Sequence, residues 1–361
     1  MKGSQIGIIG GGIAAAVIIA VLLVSQTGIS QDTTPLPADN DVVTPTIEPE
    51  NEVAVQSEDK LLVYTTFYPL YQFTQGVAGD AAEVRILIPS NADPHASELG
   101  PQTIAALTKA DMVIYNGADF EPYLDEIMSA SDFAHIVFVD SSEGIELMEG
   151  EAHDHHGHGS HGDDKHDDHS KEDGHDDHGE EGGIDHTYDP HIWLDPILAK
   201  AQVMTIADHL QESDPAHAEI YHDNAISYAN QLDQLDQEIR SDVSSCAKDT
   251  FVPFHNAFSY FAERYDLNTL AVIQEFSPET PVTAKDIEEL IHFAEDNDIK
   301  YFFTEENRNP KLAERLAAEL GGDILLFSPL ESLSANDDPN VTYFEKMREN
   351  VDNLQIALEC N

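Results

Sequence analysis

Basic residues are scarce in this sequence: 17 Lys and Arg stand against 69 Asp and Glu, a formal charge of −52 over 361 residues. A nucleic-acid binder needs a basic face to neutralise phosphates, so no nucleic-acid partner is expected. The acidity runs along the whole chain and reads first as a solvated surface. A negative field concentrates cations nearby without making a specific site for them. Cysteine is as sparse. Cys246 and Cys360 are the only two, and neither belongs to a CxxC pair, which argues against a thiolate zinc site. Outside the cell they could form one disulfide between the end of a long helix and the chain terminus; the alternative is two buried thiols. The HExxH signature, the GxSxG elbow and the GxxxxGK[ST] loop are all missing, so no hydrolase or nucleotide motif points to an enzyme.

Long apolar runs are missing too, with one exception. Ile6 to Val24 is uncharged and follows the positive Met1-Lys2. Its length is close to the roughly 20 residues that span a bilayer, and longer than the about 7–15 of a signal-peptide core. Residues 1–25 are therefore expected to form a transmembrane anchor with the body outside the cytoplasm, a cleaved signal being the alternative. Residues 26–59, rich in Pro, Thr and Asp, read as a flexible tether.

From Lys60 short β-rich runs alternate with helical ones. Expected strands are Leu61–Thr65, Val84–Ile88, Met112–Tyr115 and His135–Val139, then Phe251–Phe254, Thr269–Ile273, Tyr301–Thr304 and Ile324–Phe327. Near-continuous apolar runs of this kind suit strands covered on both faces. The fold class is thus α/β: two (β/α) lobes, 60–213 and 248–361, with mainly parallel four-stranded sheets. Between them Tyr221, Ala225, Tyr228, Leu232, Leu235, Ile239 and Val243 recur at helical spacing. That is an amphipathic helix of about 30 residues, roughly 45 Å long, read as a strut over 214–247. Glu149 to Gly183 is His, Asp, Glu and Gly with almost no apolar side chain; the stretch 149–187 is expected to be a disordered loop inserted in the first lobe.

Four residues share a setting. His95, His191, His255 and Glu331 each follow an expected strand, in Asp93-Pro94-His95, Asp189-Pro190-His191, Phe254-His255 and Pro329-Leu330-Glu331. Ligand crevices of open α/β sheets lie past the carboxyl ends of strands. A histidine at a strand end is usually a hydrogen-bonded loop residue and a lone Glu331 is usually solvated, so the case rests on the four together. Three imidazoles and a carboxylate make a tetrahedral zinc set, whereas manganese prefers more oxygen.

With these residues in view, the chain from about Lys60 to Leu358 resembles the metal-specific solute-binding proteins of ABC importers, zinc branch. The resemblance is carried by Thr66-Phe67-Tyr68-Pro69, Asp93-Pro94-His95, Asn116-Gly117 with Glu121, Asp189 to Pro196, Asp214-Pro215 with Tyr221 and Asn224, and Phe254 to Phe261. Ser277-Pro278-Glu279 and Pro329-Leu330-Glu331 complete it. Tyr123 and Pro281-Val282 depart from the family pattern away from the four. The resemblance implies one interlobe metal held by His95, His191 and His255, with a fourth place that varies among carboxylate, here Glu331, water and nothing. It also implies a membrane permease and its ATPase as partners, and a monomer. His255 stands where manganese relatives usually carry a carboxylate, so Zn2+ rather than Mn2+ is the expected cargo. The His-rich insert, His153 to His178, fits the zinc branch as a scavenging loop; an acidic run without duty is the alternative. A surface adhesin or metal buffer of the same fold is the competing function.

Overall fold

Among the described residues, all named strands that pair do so in parallel. Parallel neighbours cannot be joined by a tight turn, so crossovers, mostly helical, cover the sheets. The computed structural model describes residues 60–360 apart from 90, 96, 151–187 and 279. The expected anchor, tether and most of the insert lie outside these residues. No helix within them is long and apolar enough to cross a membrane.

In the first lobe β1 (Leu62–Thr65), β2 (Glu83–Ile86), β3 (Met112–Tyr115) and β4 (Val137–Asp140) form one sheet in the order β2-β1-β3-β4. Helices α1 (Tyr68–Ala78), α2 (Pro101–Leu107), α3 (Leu124–Ser129) and α4 (Pro196–Ser213) surround it. Then comes α5 (Ala218–Val243). The second lobe holds β5 (Thr250–Phe251), β6 (Asn268–Thr269), β7 (Tyr301–Thr304) and β8 (Asp323–Leu326), with α6 (Ser259–Arg264), α7 (Ala284–Asp296), α8 (Lys311–Leu320) and α9 (Tyr343–Ala357). Here β5 pairs with β6 and β7 with β8, and a parallel bridge between Val252 and Phe302 joins the pairs. The resulting order, β6-β5-β7-β8, repeats that of the first lobe.

The strands β5 and β6 are shorter than the runs Phe251–Phe254 and Thr269–Ile273. Pro253 is the physical reason: it has no N–H for a ladder. Pairing continues irregularly past it, through Val272 N–H to Pro253 O (2.9 Å) and Ile273 N–H to Phe254 O (2.7 Å). Helix ends follow the sequence signals. Thr283 and Asp286 form the reciprocal cap of α7. Asp195 accepts from Ile197 and Leu198 at the start of α4. Gly321, at φ 71°, ends α8 in the left-handed region that glycine takes without strain. Pro310 sits one place earlier than expected, at the cap of α8 rather than inside its first turn.

Helix α5 has 26 residues, about 39 Å at 1.5 Å per residue. It is not a free strut. Its buried stripe of Tyr221, Ala225, Tyr228, Leu232, Leu235 and Ile239 packs on α1, α4 and α9. A single apolar cluster runs from Phe67, Phe73 and Trp193 through Leu232 to Phe258, Phe327, Tyr343 and Leu354. Each such side chain is worth about 1.5–3 kcal/mol when buried, so swinging the lobes apart would cost many of these terms at once. Motion is thereby steered to the loops at the strand ends. Cys246, three residues past α5, and Cys360, three residues past α9, form a disulfide that ties the ends of these two helices together.

Candidate metal centre

The loops past the carboxyl ends of β2, β4, β5 and β8 bring His95, His191, His255 and Glu331 together. Each offers one ligand atom, and all four atoms lie within 4.8 Å of one another. The Nε2 atoms of His95, His191 and His255 lie 3.1, 3.2 and 3.3 Å from one oxygen of Glu331. His191 Nε2 and His255 Nε2 are 3.3 Å apart. A tetrahedron with zinc–ligand bonds of about 2.0–2.1 Å has edges of about 3.3–3.4 Å, so these separations suit one such ion. His95 stands slightly apart: its ring centroid is 5.7 and 5.9 Å from those of His191 and His255, which are 5.2 Å from each other. His191 and His255 are fully buried, and His95 and Glu331 are 7 % and 5 % exposed. Water is largely excluded from these groups.

The supports are as specific as the four themselves. His191 Nδ1 lies 2.8 Å from Asp189 Oδ1, which also accepts the His191 backbone N–H. His255 Nδ1 lies 2.6 Å from Glu305 Oε1, which likewise accepts the His255 backbone N–H. Each carboxylate thus directs the remote nitrogen toward itself and leaves Nε2 facing the cleft, as outer-sphere carboxylates do around metal-binding histidines. Asp93 Oδ1 accepts the backbone N–H of His95. Leu330, just before Glu331, has φ 60°, a conformation that costs a leucine about 1–2 kcal/mol. It is held by a bond from its N–H to Ser328 Oγ, while the Trp193 indole N–H donates to Pro329 O at 2.7 Å. Strain held this way aims Glu331 inward.

Burial works against charge on His255, but Glu305 and Glu331 outweigh it and push the imidazole up to about 10. His191 is likewise raised, burial being overcome by Asp189 and Glu331. Burial would raise Glu331, yet the facing His95, His255 and His191 hold it well below the usual carboxylate range. Within the quartet the charged forms of His191, His255 and Glu331 thus favour one another in a setting with little water.

Other motif residues build the frame. Glu121 accepts from Thr66 Oγ1 (2.7 Å), Asn116 N (2.8 Å) and Gly117 N (3.2 Å); its burial nevertheless pushes it up to about 7, those donors opposing. Asn116 Nδ2 in turn donates to Pro190 O beside His191. Gly117 has φ 80°, and a Cβ there would meet Asp140 Oδ1 at 2.0 Å. Sequence reasoning brought the four central residues into view but gave no role to Asp189 and missed Glu305. Glu305 directly follows β7, so the strand-end rule that singled out Glu331 would have found it.

A profile of the family described as zinc-uptake complex component A, periplasmic, matches residues 63–357. The chain is 35% identical over 301 residues to the high-affinity zinc uptake system protein ZnuA of Bacillus subtilis, covering 83% of this chain and 88% of that one. It is 32% identical over 306 residues to the zinc-binding protein AdcA of Streptococcus pyogenes, covering 84% of this chain but 57% of AdcA's length. Among solved structures it is similar to the laminin-binding protein Lmb of Streptococcus agalactiae, described as bifunctional with adhesin and metal transporting activity. The TM-score is 0.68 at 27% identity, over 83% of this chain and 99% of Lmb.

Proposed function

Since the chain belongs to the family of periplasmic zinc-uptake components, we propose that it captures Zn2+ outside the cytoplasm between His95, His191, His255 and Glu331 and delivers it to the permease of an ABC importer. The observation that carries this reading is the meeting of three imidazole Nε2 atoms on one Glu331 oxygen at 3.1–3.3 Å. Zinc is the cargo, and the chain's work is to strip its water and hold it. Three neutral imidazoles and one carboxylate replace the hydration shell, while Asp189 and Glu305 keep two of the imidazoles aimed. The donor set favours zinc over manganese, because only one oxygen ligand is offered. Delivery requires opening a loop rather than parting the lobes, since both share one apolar core.

In this reading residues 60–213 and 248–361 are the two lobes about the helix of 214–247, and the protein acts as a monomer. Residues 1–25 anchor it to the membrane, and the histidines of 149–187 gather zinc near the cleft. The likeness to Lmb supports a second reading, in which the same body also serves as an adhesin; binding to immobilised laminin tests it.

Calorimetric titration of the metal-free chain, with and without residues 151–187, tests the first. One tight zinc site that survives the deletion, with manganese weaker, is expected. Manganese binding as tight as zinc, or loss of the tight site on deletion, would overturn the assignment of cargo or ligands.

Proton release gives a further expectation. Zinc takes an imidazole without a proton on the ligating nitrogen, so the proton that Glu305 and Glu331 favour on His255 must leave on binding. Raising the pH removes that competitor. Apparent zinc affinity should therefore climb between about pH 6 and pH 9, and at neutral pH each ion bound should release at least one proton. Binding enthalpies measured in buffers of different ionisation enthalpy count these protons. A count of zero would remove His255 from the ligand set.

A further inference from the structure

After β7 the chain makes a tight corner, Glu305-Glu306-Asn307-Arg308, with Asn307 in the left-handed region at φ 59°. None of these residues belongs to the quartet; three of them reach a segment that carries one of its members, and Glu306 turns to α9. Glu305 holds His255. Glu306 pairs with the buried Lys346 of α9 at 2.7 Å. Asn307 Nδ2 donates to Ser332 Oγ and Leu333 O, on the loop just past Glu331. Arg308 donates to Asp93 Oδ2 at 2.5 Å, across the cleft, in the loop that carries His95.

We propose that Arg308 is a positioning residue for metal capture: through Asp93 it holds the His95 loop against the second lobe. This rests on the zinc site proposed above. The Asp93 carboxylate is the link, one oxygen facing Arg308 and the other accepting the His95 backbone N–H at 2.9 Å. The two side chains are 15 % and 22 % exposed, so the pair is better shielded from water and salt than a surface ion pair. The need for such a latch follows from the fold. His191 lies in the turn before α4, and His255 lies four residues past β5, bridged to Ile273. His95 instead hangs in the long connection from β2 to α2. Its ring is also the one set furthest from the others. With the lobes joined by a common core and the Glu331 loop held by Ser328 and Trp193, this loop is the histidine arm with fewest ties of its own, and Arg308 joins it to the segment that already orders His255 and the Glu331 loop. The latch closes the site over a captured ion and must open for release.

The test is the rate at which the zinc-loaded full chain gives up its ion to a chelator in stopped flow. Five variants are needed: Arg308→Gln, Arg308→Lys, Asp93→Asn, His95→Ala, and His95→Ala combined with Arg308→Gln. Arg308→Gln and Asp93→Asn are each expected to release zinc at least about five-fold faster than the parent, five-fold being the upper range for an exposed ion pair and this one being better shielded. Arg308→Lys, which keeps the charge, should recover part of the difference. In the His95→Ala background Arg308→Gln should add nothing, because the arm it holds no longer touches the ion. Parent-like release by Arg308→Gln, or an equal acceleration with His95 already removed, would overturn the latch, the second result marking general loosening. Unchanged release by His95→Ala would overturn the zinc site itself and this inference with it.

Discussion

His255→Ala should weaken zinc binding by about 10²- to 10³-fold, which is the value of one ligand when the roughly 10–16 kcal/mol of a four-ligand zinc site is shared among its members. His255 is wholly buried and its Nε2 lies 3.3 Å from both His191 Nε2 and the Glu331 oxygen. Its removal leaves Glu305 facing a cavity. Competition with a chelator of known affinity isolates the tight site from any weaker binding elsewhere on the chain. The manganese affinity of the same variant is equally informative. Loss of an imidazole from a one-carboxylate set should not turn the site toward manganese, so a rise in manganese affinity would mean that oxygen ligands outside the quartet take part. Zinc affinity close to the parent's would place the ion elsewhere.

Glu305→Ala is the second large expectation, an affinity loss of about 10- to 100-fold without touching any of the four proposed ligands. Two bonds disappear together, from the His255 ring nitrogen and from the His255 backbone N–H. The ring is then free to turn, and the imidazole loses the negative neighbour that favours its proton. Two consequences oppose each other. A freer ring binds zinc less well, while a less basic one gives up its proton more easily. The orientation effect should win at neutral pH, and the number of protons released per zinc should fall. Glu305→Gln separates them: its amide oxygen keeps an acceptor for the ring N–H but not the charge, so it should recover affinity while still releasing fewer protons. Equal damage from Ala and Gln would mean that charge, rather than aim, is what Glu305 supplies.

Much of this was legible in the sequence, for a reason particular to this architecture. Apolar runs such as Met112–Tyr115 and Tyr301–Thr304 need no partner to declare themselves as covered strands, and both appear with the expected bounds. Strand ends then mark the crevice, which is why His95, His191, His255 and Glu331 could be grouped before any distance was known. The stripe on α5 was equally plain, but what covers it was not: helical periodicity says that Leu232 and Leu235 are buried, not that α1, α4 and α9 bury them. Polar pairing is harder still. Arg308 and Asp93 are 215 positions apart, and with 69 acidic side chains available to 17 basic ones only the fold selects this partner. Glu305 is hidden differently. It stands at a strand end that the same rule reaches, but its neighbours Glu306 and Asn307 make it look like solvated loop; which of the two glutamates turns inward to His255 and which to Lys346 is set by register.

The bond between Cys246 and Cys360, 114 positions apart, makes the second lobe a covalent ring. The chain enters it three residues past α5 and leaves it three residues past α9. A protease acting outside the cell can cut one peptide bond anywhere from 247 to 359 and free nothing: both pieces stay attached, and the nicked lobe still presents His255, Glu305, Arg308 and Glu331 on one closed loop. Two cuts, or one cut and a reductant, are needed to shed a fragment. On a gel a singly nicked molecule should run as one band without reductant and as two with it.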